Sequence, residues 1–399
     1  MTASRTTATL AASIAGLIVV PMALAGPASG ATDQWAVPSS ASIRIDGHGY
    51  GHGHGMSQHG AQGAAIEGLS HKKILKFYYP GTKIGSAKGR LAVLITADTS
   101  KDVLVAANKS LRLKVNRSGA KNIVLRLASV RPKAKRWRIV PVSGGKVKIS
   151  FKTSRWRTLR TVKGQGQFFT PGGATTLVLP GNRTVKYRGA LRSVQRDTVN
   201  LVSLETYLRG VVPLEIPALW KPQAVQSQAV AARTYAAFER ADRSGHYDIC
   251  DTTSCQVYGG ASAEHPASNA AIKATKGEVV TYRGAPAFTQ FSASNGGWST
   301  TGSQPYLKAK QDPYDDWAGN SNASWTTTVT DVEIEKALPA LGNLTGISFS
   351  GRDGNGEWGG RVGSVTLTGS SSSRTMSGSE FRSMLGLRSE WINLTVTAQ

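Results

Sequence analysis

Cysteine is almost missing from this chain. Only Cys250 and Cys255 occur in 399 residues, so disulfides are not the main source of stability. Phe, Trp and Tyr together reach 7%. With many glycines and alternating Val/Ile/Thr runs, this favours a β-rich fold with some helix. No stretch beyond the first thirty residues is long and apolar enough to span a bilayer. Acidic residues are missing from one region in particular. Between residues 86 and 196 only Asp98 and Asp102 stand against 26 lysines and arginines, which accounts for the whole net charge of +24 and leaves the rest of the chain neutral. So concentrated a charge points to a polyanionic partner. A nucleic-acid reader would need a reading helix or stacking aromatics at set spacing, and neither is there.

The N-terminus begins with Arg5, an apolar run at residues 11–20 (AASIAGLIVV) and small residues near 23–30. This reads as a cleaved signal peptide over residues 1–30. The run is shorter than the ~20 residues a membrane anchor needs. The expected location is therefore secreted or in the cell wall, and the expected targets of the basic region are anionic wall polymers or phospholipid surfaces. About 370 residues would remain, enough for two domains.

Residues 41–85 form a Gly/His block. From Arg90 to about Arg188, period-two runs such as VKISFK (147–152) and TTLVL (175–179) alternate with Gly, Pro and Asn turns, which predicts an all-β module. Ser203 then caps a short predicted helix ending at Gly210, and residues 224–241 read as one helix of about five turns. Short strands are expected from 276 onward, with a hairpin tip or loop at 370–373. The predicted class is α+β: a Gly/His block at 41–85, a basic all-β insertion at 86–190 and a mixed domain at 191–399.

Glu215 lies in GVVPLEIP (210–217), between two prolines and among apolar neighbours. Such surroundings raise a carboxyl pKa, as a general acid working near neutrality requires. A solvated carboxylate capping the next helix fits the local sequence equally well. Gln228, Arg233 and Tyr235 follow on the predicted helix. Gln228 and Tyr235, seven apart, share a face, so they can line a groove, or the polar pair can sit on the surface with Tyr235 in the core. The block GHGYGHGHGMSQHGA (47–61) holds four histidines in twelve positions. It can be a metal site, a structural loop or a groove lining whose glycines allow positive φ.

Residues 203–217 (SLETYLRGVVPLEIP), 226–235 (QSQAVAARTY), 251–258 (DTTSCQVY), 270–281 and 291–297 (FSASNGG) resemble the SpoIID/LytB family, the stage II sporulation protein D-type lytic transglycosylases and related amidase enhancers. The resemblance implies that Glu215 is a lone acid/base acting on peptidoglycan glycan strands between N-acetylmuramic acid and N-acetylglucosamine, with no cofactor. A non-catalytic enhancer of a cell-wall amidase and a simple wall-binding module are the alternatives. It further implies that Gln228, Arg233, Tyr235, His52, Gln58 and Ser294 contact substrate. In the family a Gly-His-Gly-x-Gly-Met-Ser-Gln motif, matching residues 51–58, normally follows the last strands of the domain, which correspond here to residues 378–387. Its N-terminal position implies a circular permutation, with residues 41–46 pairing near 391–396. His246, Cys250 and Cys255 have the spacing of a partial zinc site, and some family members place zinc nearby. A Cys250–Cys255 disulfide is the simpler expectation outside the cytoplasm.

Overall fold

A computed structural model describes residues 32–399, so the expected signal peptide at residues 1–30 lies outside the described residues. The chain is β-rich with several sheets and a few helices, in keeping with an α+β class.

Apolar side chains collect in two cores. The larger runs from Met56 to Leu307 and the smaller joins Val37, Ile43 and Ile45 to residues between 334 and 394. A seven-stranded sheet dominates the first. Its order is Ile249–Cys250, Arg90–Leu94, Asp197–Ser203, Ala190–Val194, Gln165–Phe169, Arg112–Asn116 and Ile123–Arg126. A six-stranded sheet holds the remaining strands of the basic region, among them Lys146–Lys152 and Thr175–Val178. Arg90–Leu94 pairs antiparallel with Asp197–Ser203 and parallel with Ile249–Cys250. The chain therefore divides by charge near residues 86 and 190, whereas this sheet runs across both points.

Helix Leu204–Arg209 starts at Ser203, whose hydroxyl accepts from the Thr206 N–H, and ends at Gly210. Pro222 opens helix Pro222–Asp242 at its first position, where no N–H is needed, and the alanine-rich sequence carries it for 21 residues. Ala229, Val230, Ala231, Ala232 and Ala236 are all buried, so the helix runs through the large core and carries the elements of the site against it.

One segment adds to what the sequence predicts and one differs from it. The Gly/His block continues into helices Gln58–Ile66 and His71–Tyr78, capped by Ser57 and Ser70. Residues 378–385, expected as strand, are helix Gly378–Leu385: Ser377 and Glu380 form a reciprocal capping box and Gly386 closes the end in the left-handed conformation. Phe381 is buried against Phe349, a contact that fixes the helix on its sheet. The serine-rich stretch does form the tip between strands Ser364–Gly369 and Ser373–Ser377.

Strand Ala41–Gly47 lies between Trp325–Thr330 and Ile392–Ala398, pairing Gly47 with Ile392 and Ala41 with Ala398. This is the pairing that a transplanted Gly/His motif requires.

Candidate functional site

Residues 48–55 leave that strand as a loop in which every second residue is a glycine with positive φ: 78° at Gly49, 108° at Gly51, 73° at Gly53 and 69° at Gly55. L side chains rarely adopt this backbone, and here it allows close approach. The His48 N–H donates to the Trp391 carbonyl at 3.0 Å and the Gly51 N–H to Arg388 at 2.9 Å, while Tyr50 exchanges two backbone hydrogen bonds with Ser294. Met56–Ser57 then pairs in parallel with Phe291–Ser292. A Cβ on Gly51 would sit 2.7 Å from the Ser292 Cβ. Gly51→Ala is therefore expected to cost about 1–3 kcal/mol, read by denaturant unfolding; an unchanged midpoint would remove the close-approach role.

The loop forms one wall of a cleft of about 410 Å³. Tyr50, Gly51 and His52 face Glu215, Tyr235, residues 253–257 and residues 290–293. Leu214 and Leu219, beside Glu215 in sequence, are exposed, and Tyr50 is nearly half exposed. Glu215 is the only carboxylate among the described residues that line the cleft.

Burial pushes the Glu215 carboxyl up to about 7, offset in part by the Val257 N–H, which donates to its Oε1 at 3.2 Å. Glu215 points into the cleft and does not cap the helix that follows; the N-cap Lys221 makes no side-chain cap, and its N–H donates to the Gln62 Oε1 at 2.9 Å. His52 is pushed down to about 4 by burial first and then by His54. Its Nδ1 accepts the His54 N–H at 2.9 Å, so the neutral ring keeps its proton on Nε2. Burial and Glu239 raise the Tyr235 hydroxyl to about 12, and the ring packs on Phe288. At neutral pH the cleft thus offers one carboxyl able to gain or lose a proton, beside a neutral imidazole and a neutral phenol.

Residues 253–257 are held from behind. Cys250 and Cys255 are joined as a disulfide, Cys250 sits on the sheet edge beside Leu94, and Gln256 is buried between Tyr207 and Ala232. The His246 Nε2–H donates to the Asp197 Oδ2 at 2.6 Å. With the two sulfurs bonded to each other and His246 on Asp197, these three residues do not fit a zinc ligand set. Breaking this short loop closure with Cys250→Ser/Cys255→Ser should lower stability by about 2 kcal/mol. A variant as stable as the parent in denaturant would show that the bridge constrains nothing.

Four expected substrate contacts lie elsewhere. Gln228 is fully buried and lies outside the cleft lining. Arg233 is fully buried, paired with Glu205 at 2.9 Å through both Nε and Nη2, and donates to the carbonyls of Ile272 and Glu278, so it ties helix to strand. Gln58 is buried in the first turn of its helix. Ser294 is buried with its hydroxyl 2.5 Å from Asp315. Asp315 is itself fully buried and also accepts from Ser57, the Gly296 N–H at 2.8 Å and Asn320. Neighbouring Asp312, raised to about 6 by burial and by Asp315, accepts from Tyr78 and Asn295. These polar residues fasten the wall of the cleft from within. In contrast, Tyr50, Thr253, Ser254, Gln256 and Val257 line it without having been singled out; all stand inside the motifs quoted above, which was the available signal.

Residues 192–282, which include Glu215 and the disulfide loop, match the family model described as stage II sporulation protein. The stage II sporulation protein D of Bacillus subtilis (strain 168) is 30% identical over 244 residues, covering 55% of this chain and 67% of that protein. The chain belongs to the SpoIID/LytB family. Another family relative, the stage II sporulation protein D of Bacillus amyloliquefaciens, is 28% identical over 249 residues, 56% of this chain and 68% of that protein. The amidase enhancer of Bacillus subtilis (strain 168) is 37% identical over 134 residues, 32% of this chain but only 17% of that much longer relative.

Proposed function

We propose that this protein is an exported lytic transglycosylase that cuts peptidoglycan glycan strands between N-acetylmuramic acid and N-acetylglucosamine, with Glu215 as sole acid/base. The observation that carries this is a single half-buried carboxyl, protonated up to about pH 7, in a cleft lined by no second acid. Hydrolytic glycosidases need two carboxyls about 5–9.5 Å apart, one of them to activate water or attack the sugar. One carboxyl suffices when the sugar supplies the nucleophile. Glu215 gives its proton to the bridging oxygen as the bond from the muramic C1 breaks. The resulting carboxylate takes the proton of the same sugar's C6 hydroxyl as O6 bonds to C1. Water is not consumed, Glu215 ends protonated, and only protons move, so no cofactor enters. His52, with its low pKa, is too weak a base to replace Glu215, while its Nε2–H and the Tyr235 hydroxyl can hold sugar oxygens.

Digestion of purified glycan strands in ¹⁸O-water tests the reading. Anhydro-muramic ends without label are expected, and labelled reducing ends would replace it with hydrolysis. The resemblance to an amidase enhancer favours a second reading, in which the cleft holds glycan without cutting it and recruits a cell-wall amidase. Faster peptide release by such an amidase, with no new glycan ends, would select it. The charge at residues 86–196 adds attachment to anionic wall polymers as a second contact.

A further inference from the structure

The outer face of the seven-stranded sheet has its own depression, of about 660 Å³, which shares no lining residue with the Glu215 cleft. Strand alternation explains the face. Leu113, Val115, Phe168 and Leu191 point into the large core, so the residues between them point away from it. Lys114 lies opposite Gln167, and Gln167 opposite Arg192, which sets the three side by side across adjacent strands. The Gln167 Oε1 accepts from the Arg192 Nε at 3.3 Å and Nη2 at 3.0 Å and holds that guanidinium in the row. Arg112, opposite Phe169 in the next row, and its neighbour Arg126 continue the charge past the depression.

Four cations line the depression: Arg90, Lys114, Arg188 and Arg209. Glu264 is the one carboxylate that serves them, 2.5 Å from Arg188 and 3.9 Å from Arg209. Among the described residues no acid pairs with Arg90 or Lys114, and the only polar partner of the exposed Arg90 guanidinium there is the Leu201 carbonyl at 3.0 Å. Arg192, two strands away, is held below its usual range by burial and then by the Arg90 charge, as befits like charges gathered without a counter-ion.

We propose that this face binds a phosphodiester-linked polyol chain of the cell wall, with Arg90 and Lys114 as the principal phosphate contacts. The proposal deepens the wall-polymer contact stated above and rests on it. The planar guanidinium fork matches a phosphate with two parallel hydrogen bonds, and Arg90 and Lys114 stand four strands apart across the sheet, about 19 Å, a span that a flexible chain of repeating charges can bridge. A depression closed by the turn at residues 170–173 selects a thin polyol backbone over a duplex. Phe169 is the only aromatic in the lining, too few for the stacking that single-stranded nucleic acid uses.

The test is equilibrium binding of the full chain to poly(glycerol phosphate) at about 0.15 M salt, where exposed long-range attraction is screened. Arg90→Gln/Lys114→Gln should bind at least about tenfold more weakly. Arg157→Gln/Lys163→Gln, which removes two exposed charges from the other sheet, should lose less than about threefold. Equal losses in the two variants, or none in the first, would overturn the site and leave only a diffuse charge effect. Tighter binding to an oligodeoxynucleotide of matched charge would replace the polyol polymer by nucleic acid. Failure of the parent protein to bind poly(glycerol phosphate) would remove the wall-polymer contact itself, without touching the chemistry assigned to Glu215.

Discussion

Glu215→Gln should lower glycan cleavage by about 10²–10⁴-fold while leaving the fold intact, because the amide keeps the shape and the Val257 contact but has no proton to give. The parent protein should show its own signature in pH. The working form is the protonated one, so kcat/KM should be level below about pH 7 and fall about tenfold per unit above it. Stability supplies an independent readout. The folded pKa lies above the unfolded value, so the folded state binds more protons between about 4.5 and 7, and the parent loses stability as pH rises through that window. Glu215→Gln loses none there. The variant should melt higher than the parent at pH 8, with the gap closing towards pH 4.5. A gap that stays constant with pH would mean that burial is not what raises this carboxyl, and equal cleavage by the two proteins would end its role as acid.

Asp315→Ala is expected to produce the largest loss of stability, about 3–5 kcal/mol by denaturant unfolding. Its carboxylate is fully buried and takes hydrogen bonds from Ser57, Ser294, Gly296 and Asn320. Removing it leaves several buried donors without acceptors, and each such group costs about 1–3 kcal/mol. Ser57 belongs to the Met56–Ser57 and Phe291–Ser292 pairing and Ser294 follows it, so cleavage should fail along with stability. A cost below about 1 kcal/mol would show that water or neighbouring groups replace the carboxylate easily, and that the cleft wall is held by its backbone bonds alone.

Much of this was legible in the sequence, and the reasons differ by element. Glu215 could be found because two prolines and an apolar run are an odd setting for a solvated acid, and the structure turns that oddity into burial. The long helix was legible from an unbroken alanine-rich run after Pro222. Which of its faces meets the cleft was not, since spacing of seven relates Gln228 to Tyr235 without saying where the core lies. Tyr235 reached the cleft, whereas Arg233 was needed inside as the partner of Glu205. Ser294 sits in a distinctive motif because Asp315, twenty-one residues on, requires a donor there, a long-range demand that no local pattern announces. Residues 378–387 misled for a local reason: eight residues show barely two helical turns, and the capping box at Ser377 and Glu380 was the decisive signal.

The loop at residues 48–55 has a consequence for how the molecule is made. Its strand is sandwiched by Ile392–Ala398, its backbone is tied to Arg388 and Trp391, and the Ser389 hydroxyl donates to the His48 carbonyl 341 positions away. Contacts this distant in sequence close late, after the entropy of a very long chain segment has been overcome. One wall of the cleft therefore cannot settle until residues 388–398 have been synthesised and folded back. A half-made chain carries Glu215 but no finished cleft around it, so the activity proposed for Glu215 would arise only in the finished molecule.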